Sequence, residues 1–394
     1  MNLSAFFEPI SNQEVPIKTI PNFTSVGDCV TAYREGAEFP SLEAAQLVIL
    51  GVSDDRRAVG NKGCAQAPDA IRKWLYELAR PCENCKIVDL GNILPGKTPD
   101  DTVFAVSEVL YKLIEQDKTV VILGGSQEFT FANYKAFEIL GRIVNVVAID
   151  SRFDLHAGDG SLASNSYLEQ IILQKPNYLF NFCNIGYQTY LCGNELVNLM
   201  DELQFDTYRL GGISGNIDRA EPLIRAADMM TVDVSAVRMS DAPGNGNSIP
   251  HGFYGEELCQ MMRYAGYNDR LQTIGFYEYN PIYDNRGQTA QLYAQALWFF
   301  IEGFCARKND SPLRNPTECR RFHIEMKDLE QGMDFFKSKQ TDRWWVKIPC
   351  DEEKGLRYGN HVFIPCTYED YKQAMENEIP DVYTKFFMRI NNEC

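Results

Sequence analysis

The sequence predicts an α/β protein with a mostly parallel sheet that carries helices on both faces. Short apolar runs, typical of buried strands, alternate with stretches whose apolar residues recur every three or four positions, as in amphipathic helices. This alternation is typical of βαβ units, and the uninterrupted apolar character of the strand runs indicates a sheet covered on both faces. With 394 residues and 45% hydrophobic content, the chain has ample material for a large core.

About eight strands are predicted in the central part of the chain. In chain order, these strand runs are 46–51, 86–90, 119–125, 144–150, 178–187, 206–210, 229–236 and 271–279. Helical spacing is clearest in three stretches, namely 101–116, 256–266 and 289–304.

The two ends of the chain do not follow this alternation. Residues 1–44 are rich in proline and turns, whereas residues 306–394 start with a polar, charged stretch and then become aromatic. We therefore predict an N-terminal extension (1–44), an α/β domain (45–305) and an aromatic-rich C-terminal extension (306–394). The aromatic residues of the last segment either pack on the α/β domain or form a partner-binding surface.

Charge and hydropathy restrict the partners and the location of the protein. A formal net charge of −16 argues against nucleic acid or an anionic membrane as the main partner. No apolar run approaches the roughly 20 residues needed to cross a bilayer, and the start, MNLSAFFEPI, lacks the features of a signal peptide. We expect a cytoplasmic protein without membrane insertion.

The twelve cysteines are scattered along the chain rather than concentrated in a short segment. This distribution favours reduced thiols over a disulfide framework. The close pair Cys82 and Cys85 lacks a second pair at zinc-finger spacing, so we favour an ordinary surface turn over a zinc or redox site.

Polar side chains follow several of the predicted strands directly. Gln127 and Glu128 come after an apolar run that ends in two glycines, and the other groups are Asp150 to Asp154, Asp233 to Ser235, and Glu278. Ligands of open α/β sheets bind outside the carboxyl ends of the strands. A lone aspartate at such a position is often a helix N-cap, but several acidic clusters on one edge of a sheet indicate a site.

Six segments follow one another over roughly residues 48–305, namely GVSDDRRAVGNKGCAQAPDAIRKWLYEL, GGSQEFTFANYKAF, AIDSRFDL, TVDVSAV, APGNGNSIPHG and FYEYNPIYDNRGQTAQLYAQAL. In this order they resemble the ureohydrolase family of arginase, agmatinase and formimidoylglutamase, and formimidoylglutamase most closely. The resemblance implies a three-layer α/β/α arginase-like fold around an eight-stranded, mostly parallel sheet. It also implies a pair of Mn²⁺ ions that share a hydroxide, which attacks an amidine or guanidine carbon.

Residue by residue, the resemblance covers only half of the metal ligands. Asp150, Asp154 and Asp233 match ligand carboxylates of the family. The other three ligand positions are substituted: Gln127 and Arg152 stand where the family has histidines, and Ser235 stands where it has an aspartate. Glu278 matches the glutamate that faces the substrate amidinium or guanidinium, so Glu278 and its possible companion Glu128 are candidate ligand-binding residues.

Arg152 suggests that an internal cation replaces one of the metal ions. A guanidinium has no lone pair for a metal but binds carboxylates bidentately, so we expect it to bridge some of Asp150, Asp154 and Asp233. No cofactor is therefore expected, although a single hard cation such as Mg²⁺ or Ca²⁺ at Gln127, Asp150, Asp154 and Asp233 is an open alternative.

These substitutions lead to three hypotheses about function. The first is a protein that has lost the binuclear manganese site and hydrolysis, and that serves as a binding, scaffolding or regulatory module. The alternative is a hydrolase of a C–N bond in an amidine or guanidine, formimidoylglutamate-like, with one metal ion or altered chemistry. A third is a pocket that binds a small cation without turnover. A protein partner or self-association, perhaps through residues 306–394, is expected in the first case.

Overall fold

The computed structural model describes residues 3–155, 160–327 and 329–391. A ten-stranded sheet forms the centre of the molecule, in the spatial order β1-β4-β3-β5-β10-β9-β6-β7-β8, with β2 beside β4. Its strands are β1 (Phe7–Glu8), β2 (Thr31–Ala32), β3 (Leu47–Val52), β4 (Ile87–Ile93), β5 (Thr119–Leu123), β6 (Val144–Ile149), β7 (Leu179–Tyr187), β8 (Asp206–Arg209), β9 (Met229–Asp233) and β10 (Thr273–Tyr277).

The eight predicted strands are all present, and β1 and β2 are two-residue additions at the β4 edge. All pairings are parallel except that of β1 with β4. Every residue of β3, β5, β6, β9 and β10 is buried, as expected for a parallel sheet covered on both faces.

Ten α-helices of the described residues accompany the sheet. They are α1 (Val26–Cys29), α2 (Ala67–Leu75), α3 (Pro99–Glu115), α4 (Phe129–Ile139), α5 (Tyr167–Ile172), α6 (Thr189–Glu202), α7 (Leu210–Ile213), α8 (Ala220–Arg225), α9 (Gly255–Tyr267) and α10 (Gln288–Cys305). The three stretches with the clearest helical spacing correspond to α3, α9 and α10. Helix α3 starts with Thr98 and Asp101 in a reciprocal capping box and Pro99 in its first turn.

Two apolar clusters on opposite faces of the sheet make the domain three-layered. One cluster includes apolar residues of α2, α8, α9 and α10, and the other includes those of α3, α4 and α5. Together they confirm the three-layer α/β/α architecture predicted for this domain.

The C-terminal extension has its own sheet and core. Strands β11 (Cys319–Met326), β12 (Leu329–Ser338), β13 (Trp344–Lys347) and β14 (Phe363–Cys366) form an antiparallel sheet, with helices α11 (Glu352–Tyr358), α12 (Tyr368–Met375) and α13 (Asp381–Asn391). Five of its aromatic side chains are buried among the described residues, namely Phe335, Trp344, Trp345, Tyr383 and Phe386. That the extension binds a partner stays a prediction.

Buried polar side chains join the extension to the α/β domain. Arg225 of α8 donates to the carbonyl oxygens of Trp344 (2.9 Å) and Cys366 (3.3 Å), and its guanidinium lies 4.6 Å from the centre of the Trp345 ring. On the same side, Nε2 of His361 lies 2.8 Å from Oδ2 of Asp228. The extension is therefore tied to the α/β domain by specific polar contacts.

The expectations of a reduced thiol and of a simple surface turn are wrong for Cys82, whereas nine other described cysteines are free thiols. Cys82 forms a disulfide with Cys305, at the end of α10, across a sequence separation of 223 residues. Spacing along the chain could not reveal this pair, because only the packing of α2 and α10 against the same face brings the two segments together.

Within the part of the chain that the structure describes, no helix combines the length and the apolar character needed to cross a membrane.

Candidate functional site

Four neighbouring strands end at one edge of the sheet and place their following residues around one small cavity. The strands are β5, β10, β9 and β6, in that spatial order. The cavity has a volume of about 170 Å³. Seven of the eight residues singled out in the sequence line it: Gln127, Asp150, Arg152, Asp154, Asp233, Ser235 and Glu278. Glu128 does not line it.

Three aspartates form the acidic side of the cavity. One carboxylate oxygen from each of Asp150, Asp154 and Asp233 lies within 4.8 Å of the other two. The backbone N–H of Arg152 donates to Oδ1 of Asp150 (2.8 Å), and that of Ser235 donates to Oδ1 of Asp233 (2.6 Å). The buried Oδ2 of Asp150 accepts no hydrogen bond from a described residue. The loop backbone therefore fixes two of the three carboxylates, and carboxylate oxygen atoms of the three aspartates are left close to one another.

Such crowding makes the charged forms of the carboxylates unfavourable. Burial, followed by the charges of Asp154 and Asp233, raises the pKa of Asp150 well above its ordinary value. Loss of hydration and the charge of Asp233 raise the pKa of Asp154 to about 8, and burial also raises the pKa of Asp233. Three carboxylates this close remain ionised only when a cation lies among them.

Gln127 is held at the rim of this cluster by the turn that precedes it. Gly124 has a φ of +73°, and a Cβ atom there would lie 2.7 Å from Cδ of Pro68, so the turn requires glycine. The side-chain Nε2 of Gln127 donates to Oγ1 of Thr231 (2.9 Å). Its buried Oε1 accepts no hydrogen bond from a described residue, so this oxygen is available to a ligand.

Glu278 is fixed in a strained conformation on the other side of the cavity. Its φ is +61°, a backbone region that costs a non-glycine residue roughly 1–3 kcal/mol. The backbone N–H of Gln127 donates to Oε1 (2.8 Å), and Nδ2 of Asn61 donates to Oε2 (2.7 Å). Nδ2 of Asn245 donates to the carbonyl oxygen of Glu278 (3.0 Å). Burial and the charge of Asp233 raise the pKa of Glu278 well above its ordinary value.

Arg152 does not form the ion pairs that we expected from the sequence. Its half-buried side chain lines the cavity, but its guanidinium is not ion-paired with the carboxylate of any described residue. The backbone, rather than the side chain, of Arg152 contacts Asp150. Oγ of Ser235 lies 3.2 Å from Oγ of Ser151. Burial raises the pKa values of the three aspartates more than the charge of Arg152 lowers them, so Arg152 compensates these carboxylates only in part.

Sequence reasoning missed the amide side chains around the cavity. Asn61 supports Glu278, and four more polar residues line the cavity wall: Ser164, Asn165, Asn245 and Asn247. Asn61, Asn245 and Asn247 lie in the segments GNKG and GNGN, whose repeated Gly-Asn pattern was the available signal.

The donor set fits one divalent cation. Asp150, Asp154 and Asp233 supply carboxylate oxygens, and Gln127 supplies an amide oxygen that has no partner among the described residues. Oxygen ligands of this kind suit Mg²⁺, Mn²⁺ and Ca²⁺. Arg152 and Ser235 do not complete a second site of the same kind, because a guanidinium cannot bind a metal.

Known proteins with a similar sequence share this domain. The sequence profile of the arginase family matches residues 45–301. Formimidoylglutamase of Vibrio parahaemolyticus is 25% identical over 284 residues, which covers 64% of this chain and 81% of that protein. The formimidoylglutamase of Staphylococcus aureus strain MRSA252 is 26% identical over 272 residues, which covers 64% of this chain and 85% of that protein.

Solved structures agree with the fold. Trypanosoma cruzi formiminoglutamase with Mn²⁺₂ superimposes with a TM-score of 0.63 at 20% identity, covering 68% of this chain and 97% of that one. Formimidoylglutamase of Bacillus subtilis gives a TM-score of 0.66 at 16% identity, covering 74% of this chain and 95% of that one. These structures confirm the arginase-like fold.

The comparisons contradict three expectations from the sequence. A scaffolding or regulatory protein without hydrolysis, a chain that is not an enzyme, and a site without a cofactor were expected, but the relatives are named as enzymes. The aspartate cluster, moreover, offers a place for a metal ion. The error came from treating Arg152 as a replacement for metal, whereas its guanidinium leaves the aspartates unpaired.

Proposed function

Because the chain belongs to the arginase family, we propose that it is a metal-dependent hydrolase of a C–N bond in an amidine or guanidine. The observation that carries this proposal is the convergence of Asp150, Asp154 and Asp233 at the carboxyl ends of β6 and β9. The formimidoylglutamase names of the relatives support a substrate of the formimidoylglutamate type.

One divalent ion would be held by the three aspartates and by Oε1 of Gln127. Mn²⁺ is the first candidate, because the Trypanosoma cruzi protein was solved with it and because the ligands here are all oxygens. Bound there, the ion would act as a Lewis acid and lower the pKa of a nearby water molecule.

Glu278 would bind the amidinium or guanidinium of the substrate. Its carboxylate is immobilised by Asn61 and by the backbone of Gln127. Little orientational freedom of the carboxylate is therefore lost when a planar cation pairs with it. The strained backbone of Glu278 fits this role, since strained residues concentrate at ligand-binding sites.

Arg152 would bind the opposite end of the substrate. Its guanidinium lines the same cavity, is half-buried and has no carboxylate partner among the described residues. A substrate that carries both an amidinium and a carboxylate would place its two charges on Glu278 and Arg152, so Arg152 favours acidic amidines over agmatine.

Hydrolysis of N-formimidoyl-L-glutamate, agmatine and L-arginine in the presence of Mn²⁺ or Mg²⁺ tests the proposal. We expect turnover of the acidic amidine, and a loss of roughly a thousandfold in Asp150→Asn, the order expected when charge stabilisation is removed. Asp206→Asn is the matched control, because Asp206 is a buried aspartate that pairs with Lys385 away from the cavity. Absence of turnover with both metals, or an unchanged rate in Asp150→Asn, would contradict the proposal.

A further inference from the structure

A second and much larger cavity lies at the opposite end of the sheet from the aspartate cluster. Its volume is about 1020 Å³. It opens at the amino ends of β5, β6, β7, β9 and β10, where Thr119, Ile143, Tyr178, Asp228 and Gln272 line it. The C-terminal extension closes one side with Arg357, Tyr358 and His361. The cavity is therefore shared by the α/β domain and the extension.

The described lining is unusually basic for this chain. It contains six of the chain's 38 lysines and arginines: Lys118, Arg142, Arg270, Arg307, Arg314 and Arg357. Since the chain has 54 acidic residues against those 38 basic ones, cations gathered at one place would be expected to have carboxylate partners.

Five of these six cations have no ion pair with a described residue; only Arg270 has one, with Asp228. Lys118 donates to the carbonyl oxygen of Ala45 (2.8 Å), and Arg314 donates to the amide oxygen of Asn309 (3.0 Å). Arg307 donates to the carbonyl oxygens of Gly266 (2.9 Å) and Leu271 (3.2 Å). These hydrogen-bond partners are neutral, and the charge of Asp269 acts on Arg307 without an ion pair between the two.

Arg142 and Arg357 are the cations of this cavity that are most available to a ligand. Both side chains are exposed, and neither is ion-paired within the part of the chain that the structure describes. Arg142 lies in the turn between α4 and β6, and Arg357 lies in α11 of the extension with its guanidinium 5.4 Å from the centre of the Tyr358 ring. The two arginines thus approach the cavity from different parts of the fold.

The acidic residues of the lining do not neutralise this charge. Asp228 is already occupied by Arg270 (3.0 Å) and His361 (2.8 Å), which leaves Asp117 and Asp269. Five unpaired cations and two remaining carboxylates give a local charge of +5 − 2 = +3 in a chain of net charge −16. Uncompensated charge of one sign in a concave site concentrates ligands of the opposite sign.

We propose that this cavity binds a small multivalent anion that carries at least two phosphate groups. Guanidinium forks match phosphate oxygens bidentately, and several of them in one cavity favour more than one anionic group. The volume is at the upper end of the range for small-molecule sites, roughly 300–1,000 Å³, so an oligophosphate with an attached organic group fits. Such a ligand would join Arg142 of the α/β domain to Arg357 of the extension.

Isothermal titration with inorganic pyrophosphate tests the site. The full chain is used without added divalent metal, because pyrophosphate binds such ions, and NaCl of equal ionic strength is the reference. We expect saturable binding that weakens by at least about tenfold in Arg142→Gln/Arg357→Gln, since each lost charge-assisted hydrogen bond to phosphate has an effect of about that size. Citrate, run in parallel, separates phosphate recognition from general recognition of multivalent anions.

Two variants locate the binding. Arg209→Gln/Arg320→Gln removes the same charge from exposed arginines outside the cavity and should leave the affinity within about twofold. Arg152→Gln removes the cation of the aspartate cavity and should also leave it unchanged. The proposal is overturned by absence of binding above the NaCl reference, by citrate binding as tightly as pyrophosphate, by equal loss in the Arg209/Arg320 variant, or by loss in Arg152→Gln alone.

Discussion

Two aspartates at the opposite ends of strand β9 show how one residue type acquires two functions. Asp228 immediately precedes the strand, Asp233 is its last residue, and both are buried. Asp228 accepts from Nη2 of Arg270 (3.0 Å), contacts Nε2 of His361 (2.8 Å) and accepts from the backbone N–H of Asn145 (2.9 Å). Asp233 has a backbone donor but shares its surroundings with Asp150 and Asp154.

The pKa values of the two aspartates therefore shift in opposite directions. Burial alone would raise the pKa of Asp228, but Arg270 and His361 outweigh it and lower that pKa below its ordinary value. At Asp233 burial raises the pKa, and the charge of Arg152, which forms no ion pair with it among the described residues, offsets this only in part. At the amino end of β9 the protein itself supplies the cation that pairs with Asp228, so this aspartate has a structural role. At the carboxyl end a bound ligand has to supply the cation, so Asp233 belongs to a binding site.

The largest expected effect on stability is at Asp228. Asp228→Asn strands Arg270 and His361 without their carboxylate, and loss of one partner of a buried pair typically costs about 3–5 kcal/mol of unfolding free energy. Urea denaturation measures this loss. Asp100→Asn, whose side chain is 76% exposed in its pair with Arg57, is the control and should change stability by less than about 1 kcal/mol. A similar, small change in unfolding free energy in both variants would show that Asp228 is not part of a buried pair.

Metal addition should act at the other end of the strand. At about 100 times its dissociation constant, Mn²⁺ is expected to raise the unfolding free energy by about 2.7 kcal/mol, because it binds only the folded chain. Thermal unfolding with and without Mn²⁺ measures the effect. Asp150→Asn/Asp233→Asn should abolish the response, and Asp228→Asn should retain it despite its lower stability. A response that survives in the double variant would place the ion elsewhere.

The pH dependence of stability provides a third test. Because the pKa of Asp228 is lowered on folding, its contribution is fully present above the unfolded pKa of about 3.9 and is lost as the pH falls through the folded value. Below about pH 4 the unfolded chain binds a proton that folded Asp228 does not, which costs up to about 1.4 kcal/mol per pH unit. The stability difference between wild type and Asp228→Asn, from urea titrations at pH 5, 4 and 3, should therefore shrink. A constant difference would contradict the pairing.

The smallest effect is expected for Asp233→Asn without metal. Asparagine keeps an oxygen that can accept from the N–H of Ser235 and removes one of three crowded carboxylates. We expect unchanged stability or a gain of up to about 1 kcal/mol at pH 7, measured by urea denaturation of the metal-free protein. Asp228→Asn is the matched comparison on the same strand, and destabilisation by both variants to the same extent would remove the contrast between the two ends.

The sequence alone was sufficient to predict the sheet, the main helices and the edge at which polar residues gather. The reason is that burial on both faces leaves a continuous apolar run in a strand, and a helix with one apolar face repeats every three to four residues. Positions at strand ends follow from the same local signals, which is why Gln127, Asp150, Asp233 and Glu278 were identified before their proximity was known.

Contacts between distant segments were decided by the tertiary structure only. Asn61 reaches Glu278 across 217 residues, and Cys82 reaches Cys305 across 223. Neither sequence spacing nor residue type shows whether a guanidinium points at a carboxylate, so Arg152 was wrongly predicted to neutralise the aspartates, whereas Arg270 does neutralise Asp228. The basic cavity likewise combines residues from 118 to 357, which only the packing of the extension on the sheet brings together. Local periodicity in the sequence determines the helices and strands. Which charged side chains pair depends on the direction in which each side chain points and on which helix, strand or loop packs against it.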